Sequence, residues 1–316
     1  MRSAPTNLVK IIAEELAQPV APDVEALATA LERDHGASMK GVIFYGSCLR
    51  DRTLDDRIAD FYLLVGSYRA FYSSWWAAAG NAALPPNVFY YEAEENGKVL
   101  RAKVAVISLE DLARGTTSRS FLSYLWGRFA QPVRLLRPAD KGVSNYVATA
   151  LGSAVVTLLR RGLPLMPTRF TSAQIWQTAL AESYRTELRA ERRTRADELV
   201  ERDAERYERL TRAVTEGRAL PGARRRGDGG FEHQPSGGAT VRCKIGWTMR
   251  RLAGKALHVL RLVKAAFTFE NGLEYLLWKI QRHSGETVEV KDWQRRHPLL
   301  AAPGLALRLY RRGAFR

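Results

Sequence analysis

Cysteine is scarce: Cys48 and Cys243 are the only two in 316 residues. That excludes a disulfide scaffold and a cysteine-based zinc site, and it favours a reducing compartment. Histidine is scarce as well. His35, His233, His258, His283 and His297 show no metal-ligand spacing, so a histidine-centred site is not expected. The N-terminus lacks the cationic start and apolar core of a secretory signal, and the early Glu14 and Glu15 disfavour a transit peptide. Long apolar runs are missing too. The uncharged stretch 70–91 is interrupted by Asn81, Pro85, Pro86 and Asn87, and the stretch 142–159 by Ser144, Asn145, Thr149, Ser153 and Thr157. A spanning helix needs about 20 predominantly apolar residues, so no transmembrane helix is expected.

Negative charge is in short supply. Lys and Arg number 49 against 33 Asp and Glu, a formal net charge of +16. The excess is uneven: residues 221–316 hold 19 basic and 7 acidic residues, a net of +12, while residues 1–220 are nearly balanced. A basic region of this kind calls for an anionic partner: nucleic acid, a membrane surface or a phosphorylated substrate. What remains is an ordinary foldable composition, 46% apolar and 26% charged, with length for about two domains.

Patterning divides the chain. Residues 22–34 read as a helix, with Asp23 able to cap it and Val24, Leu27, Ala28 and Leu31 on one face. Residues 41–45 and 58–65 read as buried strands. The apolar run 87–91, the turn Asn96-Gly97 and the stretch 99–108 add further strand content. From 109 onward the pattern is helical: 109–114, 118–130, 143–161 and 171–214. The charge-dense part, 190–216, reads as a solvated helix laced with i,i+4 pairs. Residues 217–240 are rich in Gly, Pro and Ser and read as a linker, and 245–267 as a basic amphipathic helix. The expected class is α+β.

One constellation carries chemistry. Gly46-Ser47 closes a buried strand, and Asp60 follows on the next strand thirteen residues later. This spacing resembles the nucleotidyltransferase signature. Glycine lets the backbone approach a triphosphate, a serine hydroxyl binds its oxygens, and an aspartate on the neighbouring strand holds Mg²⁺. A turn glycine and a surface aspartate satisfy the same spacing, so the pair does not decide the matter alone.

Further segments point the same way. Phe44-Tyr45-Gly46-Ser47 with Asp60-Phe61 resembles the mitochondrial-type phosphatidate cytidylyltransferases, the CDP-diacylglycerol synthases of the translocator-maintenance family. Lys103-Val104-Ala105-Val106-Ile107-Ser108 with Asp111-Leu112, then Gly127-Arg128-Phe129-Ala130-Gln131-Pro132-Val133, then Ser183-Tyr184-Arg185-Thr186-Glu187-Leu188-Arg189 resemble later blocks of that family in the same order. The Arg- and Ala-rich composition points to a bacterial member.

The resemblance implies a nucleotidyltransferase domain with a mixed sheet and helices over 1–135. A helical, winged-helix-like domain over 136–216, a linker over 217–240 and a basic membrane-associating region over 241–316 then follow. It implies CTP and phosphatidate as substrates, CDP-diacylglycerol and pyrophosphate as products, and Mg²⁺ as cofactor, in phospholipid biosynthesis. Carried over residue by residue, Gly46, Ser47 and Arg128 bind nucleotide, and Asp60 and Lys103 are catalytic. Asp60 and Glu187 hold the metal, and Tyr184 and Arg189 meet substrate phosphate. Two departures stand out. Asp60-Phe61-Tyr62 has no second acid, so Glu187, or alternatively Asp55 or Asp56, must complete the metal site, and Thr186 replaces a glycine of the family.

A lipid substrate without a spanning helix needs another route to the bilayer. In 245–267, Met249, Leu252, Ala256, Leu260, Val263 and Phe267 form a stripe, with Arg250, Arg251, Lys255, Arg261 and Lys264 largely off it. Such a helix can lie among anionic headgroups, with Trp278 and Trp293 as further interfacial anchors. The expected location is cytoplasmic, peripheral to the inner membrane. Nucleic acid ranks below lipid as the partner. Two alternatives stay open: a nucleotidyltransferase acting on nucleic acid or another phosphorylated acceptor, and a non-catalytic basic membrane adaptor.

Overall fold

A computed structural model describes residues 4–51, 54, 57–95, 97–187 and 193–268. In chain order the elements are α1 (Thr6–Leu16), α2 (Pro22–His35), β1 (Met39–Tyr45), α3 (Ser47–Asp51), β2 (Ile58–Val65), α4 (Tyr68–Phe71), α5 (Trp75–Ala83), β3 (Asn87–Glu95), β4 (Lys98–Ser108), α6 (Leu109–Thr116) and α7 (Tyr124–Phe129). They continue with β5 (Arg134–Leu136), α8 (Lys141–Gly162), β6 (Arg169–Phe170), α9 (Ser172–Tyr184), α10 (Arg193–Arg202), α11 (Ala204–Glu216), β7 (Arg224–Arg225), β8 (Phe231–Glu232) and α12 (Gly237–Thr268). The class is α+β, as the pattern predicts.

Five strands form a mixed sheet in the order β3-β4-β2-β1-β5. Only β2 and β4 run parallel; the other neighbours are antiparallel. Both faces of the central strands are buried, which is why β1 and β2 read as near-continuous apolar runs rather than alternating ones. One face, with Val42, Phe44, Phe61, Leu63, Val104 and Val106, packs under α2. The other, with Ile43, Tyr62, Leu64, Ala105 and Ile107, belongs to a core that continues through α1, α7, α8, α9 and α11.

Local chemistry explains the element ends. Pro22 opens α2 at a first-turn position where its missing N–H costs nothing, and Asp23 lies within the first turn rather than at the cap. Asp140 caps α8 by accepting from the Val143 amide at 2.8 Å. Thr171 and Gln174 form a reciprocal capping box at the start of α9. Helix α8 is long and apolar enough to span a bilayer by length and composition alone. Its apolar residues are instead occupied inside the protein: Val147, Ala148, Leu151, Val155, Leu158 and Leu159 are all buried.

Two stretches differ from the sequence expectation. The charge-dense region is not simply a solvated face, because α11 buries Tyr207, Leu210, Thr211 and Val214. Its Arg206 reaches Glu15 of α1 at 2.9 Å and donates to the Ala130 carbonyl. A strongly amphipathic helix with many charges looks solvated when only its charge density is weighed. The Gly/Pro-rich region 217–240 carries β7 and β8, which join β6 in a small sheet of order β6-β8-β7. Phe231 of β8 is buried against Phe170.

Because Leu158 sits at the centre of the shared core, Leu158→Ala is expected to cost about 2–5 kcal/mol of stability. Denaturant unfolding followed by circular dichroism measures it.

Candidate active site

A cavity of about 210 Å³ opens at the end of the sheet where β1 and β2 finish and start. It is lined by Gly46, Ser47, Asp60, Arg128, Gln131, Tyr184, Glu187 and Arg195. Six of these are residues singled out from the sequence. They arrive from β1 and its following turn, from β2, from α7 and from the end of α9.

The pair at the mouth is set by backbone geometry. Tyr45 and Asp60 are register partners on antiparallel β1 and β2. Gly46 then turns the chain with φ +93°, and a Cβ there would lie 2.5 Å from the Asp60 Oδ2. Only glycine combines that dihedral with so close a carboxylate. The Asp60 side chain therefore lies over the Gly46 backbone, with Ser47 next in the chain.

Arg128 forms the floor. Its guanidinium lies 5.2 Å from the Tyr45 ring centroid and 5.7 Å from that of Tyr124, and its Nη2 donates to Glu187 Oε1 at 3.3 Å. Burial disfavours the guanidinium, but the surrounding Tyr45, Tyr62, Tyr124 and Glu187 raise its pKa, so it stays charged. Burial likewise pushes the Tyr45 phenol well up, with Asp60 adding to the shift, and Tyr62 is raised in the same way. Both phenols are therefore neutral donors at physiological pH, and Tyr62 donates to the Tyr124 hydroxyl at 2.7 Å. Tyr184 is buried and donates to Gln131 Oε1 at 3.0 Å.

Lys103 is set differently. On β4 it is the parallel register partner of Asp60 and the antiparallel partner of Tyr90, so Tyr45, Asp60, Lys103 and Tyr90 form one row across the sheet. It is exposed and does not line the cavity. Arg189, Asp55 and Asp56 lie outside the described residues. Among the described residues no group of three His, Cys, Asp or Glu side chains gathers to hold a metal. The cavity offers two carboxylates, Asp60 and Glu187, of which Glu187 is already paired with Arg128.

Two lining residues escaped the sequence reading. Gln131 lies in the turn just after α7, its amide donating to the Arg128 carbonyl at 3.1 Å, so its placement was recoverable from the block it shares with Arg128. Arg195 sits in the charge-dense stretch, where nothing distinguishes it from its basic neighbours.

The structure also explains Thr186, which stands where the resembled family has glycine. Its hydroxyl is buried, donates to the Ser183 carbonyl at 2.6 Å and lies 2.6 Å from the Ser123 hydroxyl at the start of α7. Gly46→Ala forces an ordinary residue into a disfavoured dihedral against Asp60 and is expected to lower stability by about 1–2 kcal/mol, read by denaturant unfolding.

The family model described as phosphatidate cytidylyltransferase, mitochondrial, matches residues 67–222. That span includes Arg128, Gln131, Tyr184, Glu187 and Arg195 of the cavity, and begins after Gly46, Ser47 and Asp60. Curated protein sequences give no match. Among solved structures, the chain is similar to a nucleotidyltransferase-like protein from Exiguobacterium sibiricum 255-15, with 9% identity, 92% of each chain covered and a TM-score of 0.28. Over residues 67–222, a stretch that includes the helical wall of the cavity, the chain is similar to the mitochondrial phosphatidate cytidylyltransferase family.

Proposed function

We propose that the protein transfers the cytidylyl group of CTP to phosphatidate, releasing pyrophosphate and forming CDP-diacylglycerol for phospholipid synthesis. The observation that carries this reading is convergence: Gly46, Ser47 and Asp60 meet Arg128, Tyr184 and Glu187 in one cavity, from segments far apart in the chain. The family match covers the second set and supports the same activity.

The chemistry asks little of the protein beyond positioning. A phosphatidate oxygen, ionised at neutral pH, attacks the α-phosphorus of CTP, and the bond to the bridging oxygen of pyrophosphate breaks. No strong general base is needed, which fits a cavity without histidine. Gly46 and Ser47 receive the triphosphate, the Ser47 hydroxyl donating to its oxygens. Arg128, charged and fixed by Glu187, neutralises phosphate charge from the floor. Lys103, exposed beside Asp60, meets charge on the substrate arriving from solvent. Tyr184 meets substrate phosphate, and Arg189, outside the described residues, is assigned the same task.

The donor set fits Mg²⁺ rather than a metal needing an all-protein cage. Magnesium is commonly held by one or two carboxylates together with substrate phosphates and water. Asp60, with Glu187 as its partner carboxylate, meets that requirement. When bound, the ion supplies charge neutralisation on the phosphates in flight.

The lipid substrate reaches the cavity from a membrane surface on which α12 lies. On this helix Ile245, Met249, Leu252 and Leu260 are 54–69% exposed, while Trp247 is buried. Exposed Arg242, Lys244 and Lys255 stand on the same helix. Apolar side chains turned to solvent among cations suit an anionic bilayer, each nearby Lys or Arg adding on the order of 1 kcal/mol. Val263 and Phe267 of the predicted stripe, with Trp278 and Trp293, lie outside the residues whose side chains are described. The chain thereby works as a peripheral protein of the cytoplasmic membrane face.

Incubating the purified protein with labelled CTP, phosphatidate and Mg²⁺ tests this reading; CDP-diacylglycerol and pyrophosphate are expected. Asp60→Ala should abolish turnover while leaving the circular dichroism spectrum and melting temperature unchanged. Near-normal turnover by that variant defeats the site assignment. Leu252→Gln should weaken sedimentation with anionic vesicles and leave CTP affinity intact.

A further inference from the structure

Helix α12 has a second side. Opposite its exposed apolar residues it touches the wall of the cavity from behind, at two points about two turns apart. At the first point Gly254 meets the turn after α9. A Cβ on Gly254 would lie 2.5 Å from the Thr186 carbonyl oxygen and 3.1 Å from the Thr186 Cβ. Thr186 has no freedom to retreat, because its hydroxyl is tied to Ser123 and Ser183. The next residue in the chain is Glu187, which lines the cavity and pairs with Arg128.

At the second point the Arg261 guanidinium lies 4.1 Å from the Tyr124 ring centroid and donates to the Pro85 carbonyl at 2.7 Å. Tyr124 is also the ring that stands 5.7 Å from the Arg128 guanidinium and whose hydroxyl pairs with Tyr62. One turn on, Lys264 donates to the carbonyls of Leu84 and Pro86. The void left between α12 and the Tyr124–Glu187 wall is about 20 Å³, room for about one water. The seat is tight, and it bears on the two residues that bracket the Arg128–Glu187 pair.

We propose that α12 braces the wall of the active cavity from behind, with Gly254 and Arg261 as positioning residues that hold Glu187 and Arg128 for the nucleotide. This rests on the reading of the cavity as a CTP site. It assigns α12 a task separate from lipid attachment. Gly254 allows the helix to sit directly on the Thr186–Glu187 turn, and Arg261 presses Tyr124 against the Arg128 side of the cavity. Neither residue touches substrate; both act through the groups they hold. Misplacing such groups by about 1 Å can cost as much as 100-fold in rate.

Gly254→Ala separates this role from helix stability. Alanine in mid-helix ordinarily favours the helix by about 1 kcal/mol, so a loss of function can come only from the blocked seat. The full chain and its Gly254→Ala, Arg261→Ala and Arg261→Lys variants are compared on a short-chain phosphatidate kept below its micelle concentration, so that membrane attachment plays no part. Sedimentation with anionic vesicles is measured in parallel, together with hydrogen exchange of residues 183–187. Gly254→Ala and Arg261→Ala are expected to lower kcat/KM for CTP by about 10- to 100-fold and to speed exchange in that turn, with vesicle binding retained. Arg261→Lys, which keeps a cation over Tyr124, is expected to recover most of the loss.

Wild-type kcat/KM and unchanged exchange in folded Gly254→Ala and Arg261→Ala overturn the proposal, as does a loss that vanishes once vesicle binding is restored. If Gly254→Ala fails to fold, the Arg261 pair decides. Absence of turnover by the wild-type chain defeats the functional reading instead, and the exchange measurement still reports whether α12 holds the turn.

Discussion

The Arg128 guanidinium is the joint of this structure. It comes from α7, lies against Tyr45 at the end of β1, and pairs with Glu187 beyond α9. Sheet, helical layer and cavity therefore meet at one cation. A cation held among aromatic rings needs a carboxylate to be tolerable, and a carboxylate beside a cation needs the same in return. Separating the layers would leave both charges partly desolvated and unpaired. The same surroundings keep the Arg128 guanidinium itself charged at the cavity.

Around that joint, the cavity shows a division of labour between backbone and side chains. Asp60 is aimed by register and by the positive φ of Gly46, both properties of the sheet end. Glu187 and Tyr184 are aimed by helix ends and by the Thr186–Ser123 tie. Charge at the site is set by burial and pairing: phenols are kept neutral and the guanidinium charged. On the proposed reading, a nucleotide phosphate would meet fixed donors that need no reorganisation, the condition under which electrostatic stabilisation is most effective. Helix α12 extends the theme to the outer surface. It turns Met249, Leu252 and Leu260 to solvent and sends Arg250 inward, where burial lowers the guanidinium pKa to about 10 and the Phe121 carbonyl and ring receive it. An ordinary amphipathic helix does the reverse, burying its apolar side.

How much could be read in advance depended on the kind of signal. Strands β1, β2 and β4 were legible because burial on both faces demands continuous apolar runs, and α2 and α8 because their apolar residues recur at helical spacing. Strand β5 was not legible: three residues, Arg134–Leu136, become a strand only because β1 offers an unpaired edge. Helix α1 was missed although Leu8, Ile12 and Leu16 recur at helical spacing, a pattern as local as that of α2. Within the cavity, Gly46, Ser47, Asp60, Arg128, Tyr184 and Glu187 could be named because motif blocks carry them. Arg195 could not, since its basic neighbours bear the same charge in the same kind of helix.

The sequence by itself determined the α+β class, the strand-borne Gly46…Asp60 spacing, the order of the motif blocks and the concentration of positive charge toward the C-terminal end. These are local or compositional properties, encoded in neighbouring residues. Tertiary structure alone decided which of those pieces meet. It brought Glu187 to Arg128 across 59 positions and left Lys103 beside Asp60 but outside the cavity. It also seated α12 on the Thr186–Glu187 turn with its apolar side outward. The physical reason is that such meetings depend on how layers stack and which charges can share a buried position. Those are relations between distant segments that no local pattern records.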